Sequence, residues 1–260
     1  MDGRAIIRIL EEQSPLSFAC GWDNVGLLAG NADKDVKKIY IALDATDEAV
    51  DEAVLAGADM LLTHHPLIFK GMKRIVAEDF IGRRLIKLIL NDIAYYAMHT
   101  NFDVKGMADL ASGMLGLKEC AVLDVTAVSD GREEGIGRVG MLPEPMDLRS
   151  CAEFVKAAFL TEHVKVFGEP DRKLLRAAVS PGSGKSEIKN AIAAGADVLI
   201  TGDIDHHEGI DAAAQGLCII DAGHYGLEHI FITYMKEYLE QNCAGVEIAV
   251  QQKAFPYWIV

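Results

Sequence analysis

Positive charge is in short supply in this chain. Its 260 residues carry 25 Lys and Arg against 39 Asp and Glu, a formal net charge of −14. Nucleic acid and anionic membranes are polyanions, so this balance argues against nonspecific binding to either. It suits a protein that holds cations at a local site. Cysteine is sparse and unpatterned: Cys20, Cys120, Cys151, Cys218 and Cys243 are scattered, and none forms CxxC. An odd, scattered set reads as reduced thiols in a cytoplasmic protein rather than as a disulfide framework. No apolar run approaches the ~20 residues that span a bilayer. The opening MDGRAIIRILEE reads as an amphipathic helix and lacks the apolar region of a signal peptide. Tryptophan (2) and proline (7) are scarce, and no low-complexity linker occurs. What is present is a half-hydrophobic chain rich in glycine, long enough for one large domain or two smaller ones.

The sequence also repeats itself. AVLAGADMLLT (53–63) and AIAAGADVLIT (191–201) are identical at seven of eleven positions. Each reads as a helix end, a turn at Gly57 or Gly195, and a short buried strand. Before the first copy, KIYIALDAT reads as a strand ending at Asp44, then a helix capped by Thr46. Before the second, LLRAAVSPGSGKSE reads as a strand, a glycine turn and a helix. After them come helices near 79–90 and 206–215, then the strands IAYYAM and LCIID. Each half is therefore expected to be β-α-β-α-β, an α/β fold with mainly parallel sheets. The expected halves are 1–123 and 124–260, related by a pseudo-twofold axis, with a C-terminal strand near 246–260 free to return to the first half. The stretch 124–172 is expected to begin as strand and loop, because Gly, Arg and Pro interrupt any helical period. It continues as the helix LRSCAEFVKAAFL. Open parallel sheets place their sites beyond the strand C-termini.

Three such strand ends carry metal-ligand chemistry. LLTHHPLIFKG puts His64 and His65 together before Pro66. Adjacent imidazoles at a strand end suit two cations; a surface turn that happens to hold two histidines weighs equally. Asp103, in HTNFD, is a candidate bridging carboxylate, although an Asp there is more often a helix N-cap. His224 and Glu228, in GHYGLE, share one face of a helix expected to run to about Glu240. Together His64, His65, Asp103, His224 and Glu228 suit two divalent ions per chain, among Zn, Fe, Mn, Co and Ni. Such ions sit ~3.5–4 Å apart with an activated water between them. His99 and His206 are candidates for acid–base work. PGSGKS (181–186) lacks a P-loop's first glycine, since Val179 stands there, but a glycine turn before a helix can hold an anion. His206 and His207 line the cleft, orient ligands, or cap a helix. Trp22, Asp23 and Asn24 are candidates for its rim or for capping.

At these residues the chain resembles the GTP cyclohydrolase 1 type 2 homologues, the NGG-interacting-factor-three-like family. GWDNVGLLAG, LLTHHPLIFKG, HTNFD (with Phe102 where Leu is usual), GSGKS, TGDIDHH and DAGHYGLE match its motifs in order. Pro181 departs from the pattern without touching a ligand. The resemblance implies two interlinked α/β layers arising by duplication, in the short form without an inserted middle domain. It implies the same five ligands, with the two carboxylates bridging, and a toroidal homohexamer built as a trimer of dimers. The activity expected from it is metal-dependent hydrolysis of a nucleotide or of a small heterocyclic or phosphorylated substrate. The alternative is a noncatalytic metal-binding or regulatory assembly.

Overall fold

The short apolar runs IYIA, MLLT and AYYA form strands because each is too brief for a helix and rich in β-formers. The computed structural model describes residues 1–260. In chain order the strands are β1 (Gly26–Ala29), β2 (Lys38–Ala42), β3 (Met60–Thr63), β4 (Ala94–Ala97), β5 (Lys118–Ser129) and β6 (Arg132–Asp147). They continue with β7 (Lys165–Phe167), β8 (Lys173–Ser183), β9 (Val198–Gly202), β10 (Cys218–Asp221) and β11 (Glu247–Val250). The chain divides into two compact units. One comprises Met1–Phe102 and Phe231–Ala254, the other Asp103–Ile230 and Phe255–Val260.

The first unit holds a five-stranded sheet in the order β1-β4-β3-β2-β11. β2, β3 and β4 are parallel, joined by the helices Asp47–Leu55 and Phe80–Leu90. Parallel neighbours need such crossovers. Thr46 caps the first helix by accepting from the Ala49 N–H, and Asp79 caps the second. β3 and β4 are buried at every position, as strands covered on both faces must be. Leu61, Tyr95, Leu85 and Val50 share one core cluster. β11 pairs parallel with β2, so the C-terminal strand belongs to this unit although it follows the second copy of the repeat.

The second unit holds a six-stranded sheet, β5-β6-β8-β9-β10-β7. Its β8, β9 and β10 are parallel, with the helical segments Gly184–Ala193 and His206–Ala214 as crossovers. Ala178, Leu199, Ile219 and Ala212 anchor its core. The fold is thus mixed α/β with two sheets, and five of their nine strand pairings are parallel.

The expected strand and loop after residue 123 is instead a long hairpin, β5 and β6, of 12 and 16 residues. Its turn is Asp130-Gly131, both with positive φ (51° and 74°). An Asp-Gly pair with two positive φ angles matches the twist of the flanking strands and favours a tight hairpin. The helix beginning at His224 ends at Glu228 and resumes at Ile230, running to Asn242. No helix is long and apolar enough to cross a membrane.

Candidate metal centre

In the first unit the donors grow out of the end of β3. The backbone N–H groups of His64 and His65 both donate to the Leu43 carbonyl, at 3.2 and 3.0 Å, just beyond β2. Buried Tyr95 fixes the turn that follows: its hydroxyl accepts from the Leu67 N–H (2.7 Å) and donates to the His65 carbonyl (3.0 Å). The Thr63 Oγ1 donates to the same carbonyl at 2.8 Å. Two adjacent side chains thereby leave the strand end on a rigid support.

Each imidazole is then held through Nδ1. His64, fully buried, places Nδ1 2.6 Å from the Met98 carbonyl. His65 places Nδ1 2.8 Å from the Asp44 carboxylate. His99 places Nδ1 2.8 Å from Asp23. A carbonyl or carboxylate only accepts, so Nδ1 carries the proton and the ring lone pair sits on Nε2. That tautomer is the one that ligates through Nε2, and a carboxylate behind it raises the ligand's basicity. Donor atoms of His64, His65 and His99 all lie within 4.8 Å of one another. Asp23 is itself locked, accepting also from the backbone and hydroxyl of Thr100. Burial alone would raise its carboxyl, but the bonds from His99 and Thr100 outweigh that and hold it down at about 2.

In the second unit the donors sit on a helix start. Gly223 adopts φ +77° and the helix His224–Glu228 begins directly after it. The His224 Nδ1 lies 2.8 Å from the Asp203 carboxylate, and its Nε2 lies 2.9 Å from Glu228 Oε2. Asp221, buried at the end of β10, holds this corner: its carboxylate accepts from the Ile204 and Gly223 N–H groups, both at 3.0 Å. Asp103 and Glu228 bring carboxylate oxygens within 4.8 Å of each other. Asp103 is no N-cap, because the helical turn Thr100–Phe102 precedes it. It opens a five-residue π-helical stretch, Asp103–Met107. Such insertions re-aim side chains and recur at functional sites.

Gly182 of PGSGKS is set by a close approach to the second unit's candidate donors. Gly182 has φ +78°, and a Cβ there would stand 2.5 Å from Glu228 Oε1 and 3.7 Å from His224 Nε2. A Cβ on Gly202 would stand 2.5 Å from the His224 backbone nitrogen. These positions clear room for the donor helix. His206 belongs to none of these donor groups: it is exposed at the start of the helix His206–Ala214, with its ring 5.2 Å from that of His207.

The carriers of orientation were harder to see in sequence than the donors. Asp44 ends an apolar strand and Asp203 follows one, and those positions are the only written hint of their role. The Met98 carbonyl leaves no trace in composition at all. The His and acidic groups described here could hold metal ions.

Comparison with known proteins agrees with the fold. A curated relative from Clostridium perfringens, named GTP cyclohydrolase 1 type 2 homolog, is 36% identical over 252 residues, covering 96% of this chain and 95% of its own. The crystal structure of a Bacillus cereus protein related to NIF3 superposes with a TM-score of 0.92 at 28% identity, covering 100% and 99% of the two chains. Reduced HcgD from Methanocaldococcus jannaschii gives 0.82 at 32%, covering 96% and 97%. The profile of the Duf34/NIF3 (NGG1p interacting factor 3) family matches residues 1–256, and the chain belongs to that family.

Proposed function

We propose that His64, His65, Asp103, His224 and Glu228 together hold two divalent metal ions, and that the protein is a hydrolase of a nucleotide or small heterocyclic or phosphorylated substrate. The observation that carries this reading is the uniform setting of the imidazoles. The rings of His64, His65 and His224 each have Nδ1 engaged by a carbonyl or carboxylate, the arrangement of a ligating histidine. The donor set, three nitrogens with two carboxylates, suits a transition ion such as Zn, Fe, Mn, Co or Ni. Gly182 keeps the space beside Glu228 open.

Chain connectivity supports a single centre. The first unit ends at Phe102 and resumes at Phe231, and both rings pack against His64, at 6.1 and 5.3 Å. Asp103 is the residue after the first of these rings, and Glu228 stands three positions before the second. Divalent ions would supply activation of water near neutral pH and stabilisation of developing negative charge. His99 would exchange a proton at Nε2 while Asp23 fixes its ring. The relatives' name points to attack on a purine ring as one such hydrolysis. Assembly as a homohexamer is part of the same reading.

Elemental analysis of native protein is expected to find about two divalent ions per chain. His65→Ala and Glu228→Ala should lose both metal and turnover. A double variant free of metal yet fully active would refute the proposal. So would a metal-saturated protein that is silent across a broad panel of hydrolase substrates.

A further inference from the structure

The first unit leaves two aromatic rings in solvent beside its histidine cluster. Trp22 is 61% exposed and Phe69 47% exposed. Their ring centroids lie 5.7 Å apart at 50°. Each also meets His99 edge-on, Trp22 at 6.0 Å and 71°, Phe69 at 6.3 Å and 68°. His99 in turn lies 5.3 Å from His64 and 5.5 Å from His65. Neither exposed ring is stacked on the other, so each keeps a π-face for something else.

The loops that present them are pinned. The Cys20 N–H donates to Thr100 Oγ1 at 2.9 Å, and Asp23 is locked on His99 and Thr100. Asn24 Nδ2 donates to the Ile68 carbonyl at 2.5 Å, tying the Trp22 loop to the Phe69 loop. Solvent-exposed rings on rigid loops forgo burial that floppy loops could recover by collapse. Beyond Phe69 the loop runs through Lys70, Lys73 and Arg74, three exposed cations with no carboxylate partner in an otherwise acidic chain.

We infer that Trp22 and Phe69 form an aromatic lip that takes the flat base of a mononucleotide beside the histidine cluster, with Lys70, Lys73 and Arg74 meeting its phosphate. The inference rests on the hydrolase reading above and selects within it: a heteroaromatic base is recognised, not a phosphorylated group alone. Base–aromatic stacking tolerates base identity, so the lip specifies the class of ligand more than the particular purine or pyrimidine.

The test uses metal-loaded full-length protein carrying Trp258→Phe, so that Trp22 is the only indole. GMP and AMP should quench Trp22 saturably, whereas ribose 5-phosphate should bind at least about tenfold more weakly, the stacking contribution of a base. Trp22→Ala and Phe69→Ala, followed by calorimetry, should each weaken GMP binding about tenfold, and Trp22→Phe should restore most of it. Replacing Lys70, Lys73 and Arg74 with Ala should erase the advantage of GMP over guanosine. Full GMP affinity in Trp22→Ala, or equal binding of GMP and ribose 5-phosphate, would overturn the inference. So would an indole that resists acrylamide in the ligand-free protein, since a second copy of the chain would then cover it. Metal content measured on the same samples separates the two readings. Two retained ions without base binding sink the lip alone, and wild-type protein that takes up no metal sinks the hydrolase reading.

Discussion

The two copies of the AGAD repeat build the same corner and end it differently. Residues 53–63 and 191–201 share one burial pattern at all eleven positions. In both, the helix closes through a paired turn: Gly57 N–H to Val54 and Ala58 N–H to Ala53 in one, Gly195 to Ile192 and Ala196 to Ala191 in the other, all at 3.0 Å. In both, the Asp carboxylate reaches back to two N–H groups at the start of the preceding strand. Asp59 takes those of Lys37 and Lys38, and Asp197 those of Leu175 and Arg176. The strands then part company. Thr63 bonds the His65 carbonyl and is followed by two histidines; Thr201 bonds the Gly182 carbonyl and is followed by Gly202 and Asp203. One copy ends in donors. The other ends in clearance and in the carboxylate that holds the His224 ring, a candidate donor, on the next helix. A corner fixed by backbone bonds leaves the residues just past it free to differ, which is why chemistry collects at the carboxyl ends of parallel strands.

The sharpest way to break this comparison is to remove the two orienting carboxylates. Asp44→Asn should loosen His65, and Asp203→Asn should loosen His224. Each is expected to weaken divalent-metal binding by roughly 10–100-fold, the usual cost of losing a ligand's outer partner. Calorimetric titration of metal-stripped protein measures both. A loss in one variant only would mean that the imidazole held by the other carboxylate is not a ligand, and the two ends would not serve one chemistry.

The next effect is on folding. Asp59→Ala and Asp197→Ala each strand two strand-start N–H groups, so each should cost about 2 kcal/mol in urea unfolding. Equal costs would support equivalent corners. A cost confined to Asp59→Ala would show that the long β5–β6 hairpin beside β8 supports the second corner by other means.

Much of this was readable from letters, for a physical reason. Strands β2 to β4, β9 and β10 are short and mostly apolar, and the crossover helices of the first unit carry legible caps in Thr46 and Asp79, so local preference and tertiary burial agree there. The full length of the Asp130-Gly131 hairpin is hard to see in the letters because Gly135, Gly137 and Pro143 interrupt β6. Gly135 is required instead by close approach: a Cβ would stand 1.8 Å from the Asp124 carbonyl oxygen. The candidate donors stand out in the sequence because histidines and carboxylates at strand ends are few. The settings of their rings were not, because a contact such as His64 to the Met98 carbonyl depends on a rotamer and a backbone position 34 residues away. For the same reason the place of Gly182 beside Glu228 is invisible in the letters PGSGKS.

The smallest effect makes the finest test of equivalence. Gly57 and Gly195 have φ +66° and +69°, and a Cβ at either would meet nothing within 4 Å. With sterics absent, Gly→Ala charges only the backbone strain of a left-handed residue, about 1 kcal/mol at each site. Both substitutions should therefore lower stability by the same amount, and Gly→Asn by less, because Asn tolerates this region. Chemical denaturation of the four single variants resolves such differences. If Gly195→Ala proved harmless while Gly57→Ala did not, the second helix, six residues against nine, would be relaxing its last turn to escape the strain. The two corners would then share a sequence and a resting geometry but not a stiffness.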